Sequence, residues 1–144
     1  MTIASKLGVE LPRLEDVRHQ RKANILVVDD DADIRGLIEL TLTRAGYDVT
    51  TAAHGSAALA AIDRRLPDLV VLDVAMPGMS GIDVCTELRA GDRTKLLPII
   101  MLTARRHVMF ESQGMMAGAD LYMTKPFSPK ALIGRIENLL TYAD

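Results

Sequence analysis

Six polar side chains stand where apolar runs stop. "NILVV" (24–28) gives way to Asp29, Asp30 and Asp31, "LVVL" (69–72) to Asp73, "IIML" (99–102) to Thr103, and "LYMT" (121–124) to Lys125. Adjacent carboxylates raise one another's pKa and resist desolvation. A chain that puts three of them at the end of a strongly apolar run therefore calls for positive charge among them. A hard divalent cation supplies it. Mg²⁺ takes oxygen ligands in octahedral geometry, keeps several waters, and uses one or two protein carboxylates together with a phosphate. On this reading Asp30 and Asp73 are direct ligands and Asp29 acts through water. A backbone carbonyl from the loop after Asp73 is a further ligand. Asp31 instead caps the following helix and faces its positive end. A cation and a hydroxyl opposite the metal, Lys125 and Thr103, suit the remaining oxygens of a phosphoryl group. Asp73 is then the nucleophile, because aspartyl carboxylates can form acyl phosphates.

These residues reach one another only if their strands lie side by side. The runs 25–29, 69–73 and 99–103 are continuously apolar before their polar ends, the pattern of strands buried on both faces. "YDVTT" (47–51) is half polar and suits an edge, and "LYMT" (121–124) is a short last strand. Helical patterns separate them. Asp33–Ala45 is closed by Gly46, Ser56–Leu66 is stopped by Pro67, Ile82–Ala90 is ended by Gly91, and 107–117 is followed by Gly118. A final helix opens at Ser128-Pro129 and offers Leu132, Ile133, Ile136, Leu139 and Leu140 as its apolar face. "MPGMSG" (76–81) is a turn by composition. The alternation predicts an α/β fold, a five-stranded parallel sheet in the order 2-1-3-4-5 with helices on both faces. Ligands in such sheets bind beyond the carboxyl ends of the strands, where the winding reverses. Here that is the crevice between the first and third strands, with Asp29 and Asp30 on one side and Asp73 on the other.

The bulk properties exclude several classes. The 144 residues fit one domain able to bury a core without staples, and 49% hydrophobic with 25% charged residues is ordinary for a globular protein. A net charge of −2 gives no reason to expect nucleic acid or an anionic membrane as partner. The single cysteine, Cys85, rules out an intrachain disulfide and reads as a buried packing residue. No apolar run approaches a membrane span, and the N-terminus lacks a signal peptide's apolar core, so a cytoplasmic protein is expected. His19, His54 and His107 share no metal-ligand spacing and read as exposed or capping residues. Asp83, Glu87 and Asp92 read as a solvated helix face and turn. Residues 1–22 stand outside the alternating pattern as an extension or a short helix, with Leu11, Leu14 and Val17 at helical spacing. Met109, Met115, Met116 and Met123 fit either core filling or an adaptable protein-binding surface.

At "VVDD" (27–30), "VLDVAMPGMSG" (71–81), "MLTA" (101–104) and "GADLYMTKPF" (118–127) the chain resembles the receiver domains of two-component response regulators. The resemblance spans about residues 23–142, so the domain is taken as 23–144. It implies Asp73 as the phospho-acceptor, Asp29 and Asp30 as the acidic pair for Mg²⁺, and Ala75 as the donor of a carbonyl ligand. It further implies Thr103 as the switch hydroxyl, Tyr122 as the switch aromatic, Lys125 as the family's lysine, and Pro126 as the proline whose bond to that lysine is often cis. The implied donor is a histidine kinase or a histidine phosphotransfer protein. The implied output face is formed by the 107–117 helix, the fifth strand and the last helix, and could carry a downstream protein or a second copy. The chain stops soon after the last helix, so action through protein contacts, or as a piece of a longer protein, is expected.

Such a receiver catalyses only its own phosphorylation and dephosphorylation and is a switch rather than a turnover enzyme. Two other classes compete. A receiver-like interaction module that works without phosphorylation would not need Asp73, Thr103 and Lys125 together. A hydrolase with an aspartyl nucleophile would place a general acid two positions later, where this chain has Ala75.

Overall fold

Apolar strands alternating with amphipathic helices leave a sheet no option but cover on both faces, and the computed structural model has that form. It describes residues 22–104 and 117–143, together with Gly8. Apart from Gly8, Lys22 and Ala117, the extension and the 107–117 helix expected from the sequence lie outside the described residues, as do Arg105, Met109, Met115 and Met116. The elements are β1 (Asn24–Val28), α1 (Ala32–Arg44), β2 (Asp48–Ala52), α2 (Gly55–Arg64), β3 (Leu69–Asp73), α3 (Gly81–Ala90), β4 (Ile99–Ala104), β5 (Leu121–Lys125) and α4 (Pro129–Ala143). All five strands are parallel, in the order β2-β1-β3-β4-β5, as the sequence predicts.

Strand alternation divides the core in two. Ile25, Val27, Leu69, Val71, Ile100 and Leu102 point to one face and pack with Ile38 and Leu42 of α1 and Leu132 and Ile136 of α4. Leu26, Val28, Val70, Leu72, Ile99 and Met101 point to the other and pack with Ala58 and Ile62 of α2 and Val84, Cys85 and Leu88 of α3.

The helix starts are fixed by side chains that take up free amide groups. Asp31 accepts from the N–H groups of Asp33 and Ile34, the capping role expected of it. His54 caps α2 through Nδ1, which accepts from Ala57 N–H at 3.1 Å. Ser80 and Asp83 form a reciprocal capping box on α3, so Asp83 has a local structural role beyond the solvated face read from sequence. At the other end of the sheet Arg89 ties α3 to the starts of β4 and β5. Its guanidinium donates to the carbonyls of Gly118 (2.8 Å) and Leu97 (2.7 Å) and to Asp120 (3.0 Å). Asp120 in turn accepts from Ile99 N–H at 2.8 Å.

One glycine is required by close approach. A Cβ on Gly81 would lie 2.2 Å from the carbonyl oxygen of Asp73 and 2.9 Å from Val74 Cα, so α3 starts directly against the end of β3. Gly81→Ala is expected to destabilise the chain by about 1–3 kcal/mol, because backbone rather than a flexible side chain must give way. Chemical denaturation of the two proteins measures this; an unchanged midpoint and slope would show that the loop yields freely.

Candidate functional site

The site lies where β1 and β3 end. Val28 pairs with Leu72, which places Asp29 and Asp73 at the same level. Asp29 N–H still donates to Ala52 O (3.2 Å), so Asp29 is held as a continuation of the sheet. Its carboxylate accepts from Asp31 N–H (2.9 Å), and its carbonyl accepts from the Arg35 guanidinium (2.9 Å). Asp29 and Asp73 are 1% and 4% exposed, whereas Asp30 faces solvent. One carboxylate oxygen from each of the three lies within 4.8 Å of the others.

Lys125 ends β5 and reaches across β4. Its Nζ stands 2.9 Å from Asp29 Oδ2 and 3.1 Å from Asp73 Oδ1. Burial pushes the ammonium's pKa down, but the hydrogen bonds and charges of Asp29 and Asp73 outweigh it, and the pKa ends above the usual lysine value. Lys125 therefore stays charged. One cation does not balance the acids around it. Burial, followed by the charge of Asp29, drives the Asp73 pKa up to about 7 against the opposing pull of Lys125.

Thr103 sits near the end of β4, fully buried, and its hydroxyl oxygen has no hydrogen-bond partner among the described residues. An unmet buried hydroxyl costs about 1–3 kcal/mol, a cost that a ligand oxygen would relieve. Tyr122 is half-buried on β5, paired with Met101, and packs against the cluster that α2 and α3 cover. Met123 points the other way, into the cluster under α1 and α4. Ala75 is exposed on the loop after β3. Pro126 follows Lys125 through a cis peptide bond. So Asp29, Asp30, Asp73 and Lys125 come together, Thr103 is the next-to-last residue of the strand between β3 and β5, and Tyr122 lies deeper along β5.

The residues fit a hard divalent cation. Two oxygens bound opposite one another on Mg²⁺ stand about 4.2 Å apart, given bonds of about 2.1 Å, close to the spread of the three carboxylates. Positive charge there would also offset the repulsion from Asp29 that adds to burial in raising the Asp73 pKa. Three residues that serve the site were not singled out from sequence. Arg35 and Gly81 brace Asp29 and Asp73, and Phe127 lines a cleft beside Lys125. Only Gly81, within a turn-rich run just before a helix, gives any local sign of its role.

The model for response regulator receiver domains matches residues 25–137. The chain belongs to the response regulator receiver family. It is 49% identical over 124 residues to "Probable transcriptional regulator ycf27" of Pyropia yezoensis, covering 86% of this chain and 50% of that protein. It is 46% identical over 116 residues to the alkaline phosphatase synthesis transcriptional regulatory protein PhoP of Bacillus subtilis, covering 81% and 48%. The chain thus spans about half the length of these curated relatives. Among solved structures, the chemotaxis protein CheY4 of Vibrio cholerae superposes with a TM-score of 0.78 at 35% identity, covering 83% of this chain and 99% of that one. The fold is that of a two-component receiver, and among the described residues no helix is long and apolar enough to cross a membrane.

The raised Asp73 pKa has a consequence for stability. Between the ordinary carboxylate value and about 7, the folded receiver binds a proton at Asp73 that the unfolded chain does not. This group therefore lowers stability as pH rises through that window. In metal-free buffer at pH 8, Asp73→Asn should be more stable than the parent by an amount on the order of a few kcal/mol, and the difference should vanish near pH 4. Thermal melts with a chelator across this range test it; an Asn variant less stable than the parent at pH 8 would show that the Lys125 ion pair dominates.

Proposed function

We propose that this receiver takes a phosphoryl group from a phosphohistidine donor, a histidine kinase or a histidine phosphotransfer protein, onto Asp73. The observation that carries the reading is the Lys125 ammonium held between two buried carboxylates at the reversal point of the sheet. A carboxylate oxygen of Asp73 attacks phosphorus, the P–N bond to the donor imidazole breaks, and the imidazole leaves with its bonding pair and takes up a proton. Asp29, Asp30 and Asp73, with the backbone carbonyl of Ala75, would hold Mg²⁺, which supplies charge neutralisation at the phosphoryl oxygens when bound.

The chain's own groups do the rest. Lys125 can leave Asp73 for a phosphoryl oxygen while keeping Asp29, so its charge stays in place and the acyl phosphate gains a fixed partner. Asp29 holds the lysine in that position. The unmet hydroxyl of Thr103 is suited to donate to another phosphoryl oxygen, a charge-assisted bond that the free carboxylate supplies less well. Water attack on phosphorus later cleaves the P–O bond and restores Asp73. The chain modifies and restores itself and turns over no separate substrate. Movement of Thr103 would open space beside Tyr122, and protein contacts would read the change. A differential of a few kcal/mol suffices to make a minor arrangement dominant.

Phosphoramidate with Mg²⁺ should add one acid-labile phosphoryl group, measured by intact mass. Asp73→Asn and chelation should each abolish uptake, and Lys125→Ala should slow it by about 10²-fold, the usual effect of deleting a charge-stabilising donor. Uptake by the Asn variant at the parental rate would refute the assignment. Folded, Mg²⁺-binding protein that never takes phosphate would favour an interaction module working without phosphorylation.

Beryllofluoride with Mg²⁺ should shift NMR signals in the crevice and along β4 and β5 as far as Tyr122. Thr103→Ala should confine the shifts to the crevice. Equally extensive shifts in the alanine variant would mean that the signal leaves by another path.

A further inference from the structure

Helix α1 exposes two large apolar side chains, Leu37 (52%) and Leu40 (48%). Single exposed leucines are unremarkable, but these two belong to a pattern. At about 100° per residue, Asp33, Leu37, Leu40 and Arg44 fall within about 60° of arc. Their spacing of four, three and four is that of a coiled-coil seam. The seam is self-complementary when reversed. An antiparallel copy centred between Leu37 and Leu40 sets Leu37 against Leu40 and Asp33 against Arg44. Both charged residues face solvent, and neither has an ion-pair partner among the described residues.

Gly36 adds an independent reason. Glycine inside a helix weakens it relative to alanine. The fold itself gives no return, because a Cβ at Gly36 would meet nothing within 4 Å. In an antiparallel pair, however, Asp33, Gly36, Leu37 and Leu40 frame the hole that receives Leu40 of the second copy, and a residue without a side chain lets that knob seat deeply. The strip also continues into apolar ground. A cleft of about 300 Å³ beside Leu37 is lined by Ile34, Lys125, Pro126 and Phe127.

We propose that the α1 crest is a self-association surface, on which a second copy of this chain packs antiparallel through Leu37 and Leu40 with Asp33–Arg44 pairs at both ends. Two leucines from each copy cover less than the ~1,200 Å² of a stable complex, so the dimer is weak and belongs at high protein concentration.

Sedimentation velocity of the full chain, from about 10 μM to about 1 mM, should show a concentration-dependent shift from monomer to dimer. Leu37→Ser with Leu40→Ser should remove it, with an unchanged circular dichroism spectrum. Gly36→Gln, which fills the hole, should weaken it at least several-fold. Asp33→Arg and Arg44→Asp should each weaken it several-fold, and the double reversal Asp33→Arg with Arg44→Asp should restore it. A chain that stays monomeric at every concentration overturns the proposal. So does a dimer that survives the serine pair, which would place association on another face, such as that of β5 and α4. Single reversals that weaken the dimer without rescue in the double variant would overturn the antiparallel register.

Discussion

The Lys125 ammonium between Asp29 and Asp73 is the constraint around which the rest of the receiver is arranged. Two buried carboxylates, with a third at the rim, would not stay ionised in an apolar setting without fixed positive charge. The charge must come from a side chain long enough to cross β4, and its stem must be anchored where it cannot drift. A strand end satisfies both needs, because the backbone beneath is held by the ladder while the side chain projects beyond it. The same logic explains the bracing of Asp29. With its carboxylate held by Asp31 N–H and its carbonyl by Arg35, it keeps its place whether or not Asp73 is charged. One lysine remains too little for the acids it faces. Burial, with the charge of Asp29 added to it, keeps the Asp73 pKa high, and the excess of acid leaves the crevice receptive to further positive charge.

Much of this was legible in the sequence because the fold is written in contrasts. A parallel strand covered on both faces must be apolar along its length, so the first polar residue marks the carboxyl edge of the sheet. Asp29, Asp73, Thr103 and Lys125 each follow an apolar run, and each proves to stand at that edge. The half-polar "YDVTT" segment likewise gives β2, an edge strand with exposed Thr50 and Thr51. Strand order then required only handedness and cover.

The bracing contacts were not legible, because they depend on distances that no local pattern records. Arg89 sits near the end of α3, where a basic residue normally reads as a favourable charge on the helix dipole. Its actual work, joining α3 to residues 97, 118 and 120, comes from segments distant in the chain. Gly36 and Gly81 show the same limit more sharply. The sequence puts Gly36 inside a helix and Gly81 in a turn before one, but it does not say what a side chain at either would meet. One has backbone within 3 Å of where a side chain would begin, and the other has open space. Which glycine serves the fold and which is free for something outside it is decided only once the helices are in place.

Strand parity gives the two faces of the sheet different tasks. Asp29, Asp73 and Lys125 follow Val27, Val71 and Met123 by two residues and share their side, the face covered by α1 and α4. Thr103 follows Met101 by two and shares the other side, where Tyr122 also packs under α2 and α3. On the proposed mechanism the change of charge at Asp73 falls on one face, while the Thr103 hydroxyl that would answer it belongs to the other. Thr103, buried and without a hydrogen-bond partner among the described residues, is the point at which the two sides meet. Because the interior on either side is close-packed, a shift of this hydroxyl must be taken up by its neighbours along β4 and β5. The proposed α1 contact would lie over the charged face, on the opposite side of the sheet from the cluster in which Tyr122 packs.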